Sequence, residues 1–495
     1  VRAGGAVKAR AVHAWPARLP ADDDHPYRTG AWRPQRTEWD ADDLDVIEGA
    51  IPPALDGVYL RNTENPIHDA IGRYHPFDGD GMVHAIRFGG GRASYRNRMV
   101  RTAGLAAELE AGAPLWAGII EPPARSLRDG WGARGRMKDA SSTDVVVHAG
   151  AALTTFYQCG DVYAHDPVTL AERGVAPWSR TFPGGVSAHP KLDPATGELL
   201  VWSYGTTAPY LRYGVIDRHG ALVHAADVPL PGPRLPHDLA FTERFVIWND
   251  LPLYWDPTLL AQGIYRPRFH RDQPSRFGIM PRRGTGADVR WFEAAPTYVL
   301  HWINAYEDGD EVVLDGYFQE DPMPKPDPAD GAYAGLKKMV DLAAMRARPY
   351  RWRFDLRTGA TREGRIADGV AEFPTIDPRR AGRPYRYAWQ MSAPIGWFLF
   401  DGVARLDVTT GATDHYQFPP QVYASEAPMV PRPGGTREDD GWLVTFVSDV
   451  AHDTSECQIF AADRPSAGPI ARVRLPERIC SGTHACWASA EELHA

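Results

Sequence analysis

Four times along the chain an apolar run meets an aspartate, crosses a glycine three or four residues later and resumes as a second apolar run. The four pairs are Asp193 and Gly197, Asp217 and Gly220, Asp355 and Gly359, and Asp407 and Gly411. Aspartate opens a turn by accepting hydrogen bonds from the backbone just ahead of it, and glycine supplies the positive φ that closes a tight hairpin. Each unit is therefore expected to be a strand, a turn and a returning strand. Repeated hairpins at irregular spacing, with 11% aromatic residues and 47 glycines and 44 prolines, point to an all-β fold. Radial repetition of small sheets, a β-propeller, fits better than a sandwich.

Two stretches break the strand pattern. Thr102 to Leu115 and Gly335 to Arg348 carry apolar residues at helical spacing, and as insertions on one face they would form a lid over the propeller axis. Up to about Trp39 the chain is rich in proline, aspartate and arginine without periodicity, which reads as an extended arm over residues 1–39. No linker interrupts the remainder, so residues 40–495 are expected to form one domain. Val1 to Lys8 holds no apolar run of signal-peptide length and reads as a frayed or trimmed terminus. No stretch is long and apolar enough to span a membrane. Leu251 to Trp255 is the one apolar segment placed to touch lipid or, preferably, to pack over a cavity mouth.

The net charge of −9 and pI near 6.0 leave no basic footprint for nucleic acid. Cys159, Cys457, Cys480 and Cys486 make neither a disulfide framework nor a zinc ribbon, and a reduced, cytoplasmic setting fits them best.

Four histidines stand in similar frames at the start of apolar strands. They are His189 in Ser187-Ala188-His189-Pro190, His237 in Leu235-Pro236-His237-Asp238, His301 in Leu300-His301-Trp302-Ile303, and His484 in Thr483-His484-Ala485-Cys486. None is near enough to another for a local metal clip, so only a closed fold can gather them. Four neutral imidazoles suit iron, copper, nickel or zinc and leave the metal charge uncompensated. Carboxylates one layer out would supply the compensation, since a ligating histidine usually gives its second N–H to such a group. Glu372 and Glu426, acids set in apolar, proline-bearing frames, are the candidates.

Gly57-Val58-Tyr59-Leu60-Arg61-Asn62-Thr63-Glu64-Asn65-Pro66, then Phe77-Asp78-Gly79-Asp80-Gly81-Met82-Val83-His84, resembles the N-terminal signature of the carotenoid cleavage oxygenase superfamily. The histidine and glutamate frames are similar to that family's motifs and follow its order from about residue 40 to the C-terminus. The resemblance implies a seven-bladed β-propeller with a helical dome. It implies one Fe2+ held by His189, His237, His301 and His484, with Glu372 and Glu426 as outer partners, and cleavage of a carbon–carbon double bond by O2 into two carbonyl products. A third outer glutamate of many members falls where this chain reads Phe156-Tyr157-Gln158-Cys159, so Gln158 is expected there as a neutral acceptor. The frame around His484 also departs from the family's usual residues.

Met137-Lys138-Asp139-Ala140-Ser141-Ser142-Thr143-Asp144 resembles the bacterial lignostilbene and resveratrol dioxygenase branch. That likeness implies that Lys138 reaches the para-hydroxyl of a phenolic substrate. A cation there favours phenolate and pushes electron density into the alkene. No tyrosine stands near Leu105, where that branch places the lysine's helper. The leading expectation is cleavage of para-hydroxylated stilbenes to aromatic aldehydes. Phenylpropenes or vinylphenols of the isoeugenol type, apocarotenoids, and a metal-free interaction module are the alternatives. Expected partners are a small hydrophobic phenolic alkene and a second copy in a homodimer, with neither nucleic acid nor an integral membrane segment.

Overall fold

The computed structural model describes residues 8–16 and 18–493, and the aspartate-to-glycine segments close hairpins in it. In one, Asp355 Oδ1 accepts from the backbone N–H groups of Arg357 and Thr358, both at 2.8 Å, and Gly359 takes φ +82°. Asp407 and Gly411 repeat the device, with Asp407 Oδ1 accepting from Thr409 and Thr410. The strands so joined pair antiparallel, Phe354 opposite Thr361 and Leu406 opposite Thr413.

Seven such sheets make a seven-bladed propeller. The second to sixth blades are four-stranded meanders whose first strands are Asp144–His148, Lys191–Asp193, Ala240–Phe241, Trp302–Asp308 and Glu372–Ile376. The first blade is closed by the far end of the chain, where Ala485–Ser489 pairs with Gly57–Arg61 in the register Ala485 to Arg61 and Ser489 to Gly57. The seventh blade is completed from the other end, Val46–Gly49 pairing with Pro469–Arg474. Residues Lys8–Ala14 and Thr37–Asp42 pair with each other and extend the outer side of the first blade; Val1 to Val7 lie outside the described residues. First strands of adjacent blades touch, Ala485–Ser489 against Asp144–His148 and Trp302–Asp308 against both Ala240–Phe241 and Glu372–Ile376. They therefore ring one axis.

The core lies between blades. Trp202, Tyr213, Trp248 and Met280 join the third blade to the fourth, and Ile247, Phe277, Leu314 and Trp352 join the fourth to the fifth. Each fully buried large side chain contributes about 1.5–3 kcal/mol, so adjacent blades hold each other and position their first strands. Leu251 to Trp255 belongs to this packing: Leu253–Trp255 pairs with Pro267–Phe269, and Trp255 is buried in the cluster of Trp248 and Tyr213. It does not line the cavity beside the histidines.

The helical insertions are shorter than the sequence suggests. The first is Ala103–Ala111, with the Thr102 hydroxyl accepting from Leu105 N–H at the N-terminus and Gly112 left-handed at the end. It packs Leu105 beside the first blade against Ile67, Met82 and Met99 and not over the axis. The second is two turns, Ala334–Lys338 and Leu342–Met345. From Ala347 the chain is strand, because burial there alternates and the backbone pairs along Glu311–Gln319. No described helix is long and apolar enough to cross a membrane.

Candidate metal centre

The start of a blade's first strand is where a side chain can reach the axis, and the chain uses that position repeatedly. His189 precedes Lys191–Asp193, His237 precedes Ala240–Phe241, His301 precedes Trp302–Asp308, and His484 precedes Ala485–Ser489. His189 and His237 face each other through Nε2 at 3.2 Å. One ligand nitrogen each from His189, His237 and His301 lies within 4.8 Å of the others. The His484 ring adjoins them, 4.5 Å from His189 and 4.7 Å from His301 between centroids. His301 Nε2 is buried without a hydrogen-bond partner. His189 holds φ +61°, a left-handed backbone uncommon outside glycine that often marks functional positions.

Acids stand behind the rings. Glu372 Oε2 lies 2.6 Å from His301 Nδ1, and Glu426 Oε2 lies 3.3 Å from His484 Nδ1 while accepting from Ala485 N–H at 2.7 Å. Asp144, unforeseen from sequence, lies with Oδ2 3.6 Å from His189 Nδ1 and accepts the His189 backbone N–H at 3.2 Å. Asp238 turns away from the centre: it takes Lys191 at 2.7 Å and the Trp302 backbone N–H at 3.0 Å, fixing the strand that follows His301.

His237 is backed by an aromatic ring. Tyr157, not its neighbour Gln158, approaches His237, with centroids 5.9 Å apart, and lines the adjoining cavity. Gln158 is buried outside that lining, and its backbone carbonyl accepts from Ala133 N–H.

Burial sets the electrostatics. It pushes His189 and His301 well below the ordinary imidazole range, and His237 down to about 3. These three rings are neutral donors at physiological pH. At His484 burial acts in the same direction, but Glu426 outweighs it and raises the pKa. Burial also raises Asp144 to about 6, and holds Glu372 well above the usual carboxylate range. A cation placed among the imidazoles reverses that penalty by favouring the ionised acids. Converging neutral nitrogens, one of them orphaned, with carboxylates behind three rings, fit a borderline divalent metal such as iron.

The cavity beside the rings is lined by His237, His301 and His484. Phe77, Phe373 and Phe398 wall it, Phe373 stacking on His484 at 4.3 Å. Leu300 joins the wall, and Met339, Val340 and Leu342 of the second insertion cover it. Polar lining comes from Glu64, Thr143, Tyr157 and Thr483. Lys138 is absent from it. Its Nζ is 2.5 Å from Asp80 and 2.7 Å from Glu108, both buried.

Residues 32–489 match the family model described as retinal pigment epithelial membrane protein (RPE65). The carotenoid 9,10(9′,10′)-cleavage dioxygenase of Crocus sativus is 31% identical over 90% of this chain and 86% of its own. Lignostilbene-α,β-dioxygenase isozyme III of Sphingomonas paucimobilis is 30% identical over 94% and 97%. The crystal structure of Pseudomonas brassicacearum lignostilbene dioxygenase superposes with a TM-score of 0.82 at 27% identity, covering 96% of this chain and all of that one. With a match running through nearly every blade, the chain belongs to the RPE65 family, the carotenoid cleavage oxygenases, non-haem iron enzymes that split carbon–carbon double bonds.

Proposed function

We propose that His189, His237, His301 and His484 hold one ferrous ion on the propeller axis and that the adjoining cavity presents an apolar conjugated alkene of the apocarotenoid type to it. The lining carries the substrate reading: aromatic and aliphatic walls, and no lysine or arginine side chain among the residues that form them. Activation of a phenol by a cation needs a cation at the pocket, and Lys138 is neutralised between Asp80 and Glu108. An extended polyene needs only apolar walls and correct placement.

Bound iron would supply redox activation of O2, the co-substrate that converts the alkene into two carbonyl compounds. The chain's own contributions are positional. Glu372 and Glu426 hold the Nδ1 sides of His301 and His484, leaving Nε2 to face inward. Phe77, Phe373 and Phe398 form an edge-to-face set, with centroids 5.4 and 5.7 Å apart, that presents flat walls to a conjugated chain and excludes water. The cavity volume is about 60 Å³, well below the several hundred Å³ of ordinary ligand sites.

Aerobic incubation of the iron-loaded protein with an apocarotenal, resveratrol, a methoxylated lignostilbene and isoeugenol, with aldehydes identified by chromatography, tests the reading. Cleavage of the apocarotenal is expected. Aldehydes from the phenolic alkenes alone would overturn the polyene assignment and restore the stilbene one.

A further inference from the structure

The cavity holds one acid that stands behind none of the imidazoles. Glu64 lines it and is 1% exposed, yet neither carboxyl oxygen has a hydrogen-bond partner. Arg61, three residues earlier, is turned to Ser425 Oγ and the Cys480 carbonyl at 2.7 and 2.8 Å, and no described cation lies within ion-pair distance of Glu64. Two hydroxyls stand near it. Thr483 Oγ1 lies beside the Glu64 carboxyl and lowers its pKa, but its hydroxyl is directed to the Thr143 carbonyl at 2.6 Å. Thr143 Oγ1 accepts from Tyr157 N–H at 3.2 Å, and its own hydroxyl proton makes no hydrogen bond to Glu64.

A buried carboxyl left unpaired is costly, and native proteins rarely keep one without a use. An apolar side chain at this position would carry no such cost. The carboxyl faces a space that a ligand fills, so its missing partner is expected on the ligand. We infer that Glu64 is a specificity-determining residue whose carboxyl takes a hydroxyl group carried by the alkene substrate. A hydroxyl is the oxygen function that serves in either state of the acid, donating to a carboxylate or accepting from a carboxylic acid. Burial pushes Glu64 up to about 8. The inference rests on the alkene-cleaving reading above and narrows its substrate class to hydroxylated conjugated alkenes.

The test uses the iron-loaded full chain and two probes, an apocarotenal bearing a ring hydroxyl and the same apocarotenal without it. Affinity is read from quenching of tryptophan fluorescence, and kcat/KM is read separately. The parent is expected to prefer the hydroxylated polyene on the order of 10- to 100-fold. Glu64→Gln, which still hydrogen-bonds, should keep most of that preference, and Glu64→Leu should bring the ratio within about threefold. Glu64→Met, closer in shape, answers the same question if the leucine variant does not fold. A parent that binds both probes equally, or a preference that survives Glu64→Leu, overturns the assignment. Preferential binding of the hydroxylated probe without cleavage of either would leave Glu64 assigned and sink the alkene-cleaving reading instead.

Discussion

The acids behind the imidazoles can be separated by what each holds. Glu372 is fully buried and 2.6 Å from His301 Nδ1, so it fixes the ring's orientation as well as lending charge. Glu372→Gln keeps an acceptor and loses the charge, and is expected to weaken metal affinity about 10- to 100-fold; Glu372→Ala should lose more, as measured by iron content after dialysis against a graded chelator. Asp144→Asn, at the longer 3.6 Å separation, should cost less than Glu372→Gln in the same assay. Glu64 is predicted to shape the pH dependence of the metal-free protein. Its folded pKa, about 8, lies above its ordinary value, so the folded state holds the proton more tightly. That stabilisation is present below about pH 4.5 and is lost as pH rises toward 8. The urea midpoint of the metal-free chain should fall across that window, and fall less in Glu64→Gln. The four histidines and two glutamates were legible because each interrupts an apolar frame. Asp144, Tyr157 and Glu64 were not, since what singles them out is proximity across blades, and a short polar run in sequence looks the same whether or not it faces the axis.

At the scale of elements, the helix Ala103–Ala111 is tied to the first blade through Lys138. Its Glu108 reaches Lys138 Nζ at 2.7 Å, and Asp80, just before the strand Met82–Gly89, reaches it at 2.5 Å. The lysine thus ties the helical insertion to the first blade. Removing one partner of a buried ion network leaves uncompensated charge, so Lys138→Met is predicted to destabilise the protein by about 3–5 kcal/mol, read as a shift in the urea midpoint with unchanged slope. The neutralising variant Lys138→Met with Asp80→Asn and Glu108→Gln should recover part of the loss. The aspartate-to-glycine hairpins were readable because their chemistry is local: Asp355 and Gly359 need nothing beyond the turn. The end of the second helical insertion was not, because Ala347 to Asp355 becomes strand by pairing with Glu311–Gln319, a tertiary choice that overrides helical spacing.

For the whole molecule, closing the ring and building the metal centre are one event. The strand Ala485–Ser489 completes the first blade, and His484 immediately precedes it, so the fourth imidazole arrives only when the C-terminus docks. The other three come from the third, fourth and fifth blades, and a metal bound to all four would tie together blades that otherwise meet only through their neighbours. Removing it from the folded state should lower stability by RT ln(1 + [L]/Kd), about 2.7 kcal/mol for free metal at 100 times Kd. The coupling makes a sharper prediction. Ala488 is 2% exposed and packs with Val58, Leu60 and Val145; Ala488→Asp buries a charge in the closing strand and costs several kcal/mol. Because that strand carries His484 into place, the variant should lose metal affinity together with stability. Val228→Ala, in the outermost strand of the third blade, opens a cavity worth about 1–3 kcal/mol far from any ring that faces the axis. It should lower the urea midpoint and leave metal affinity within about twofold of the parent, since distant independent sites add without coupling. Equal loss of affinity in both variants would mean that metal binding follows overall stability and owes nothing to closure of the ring.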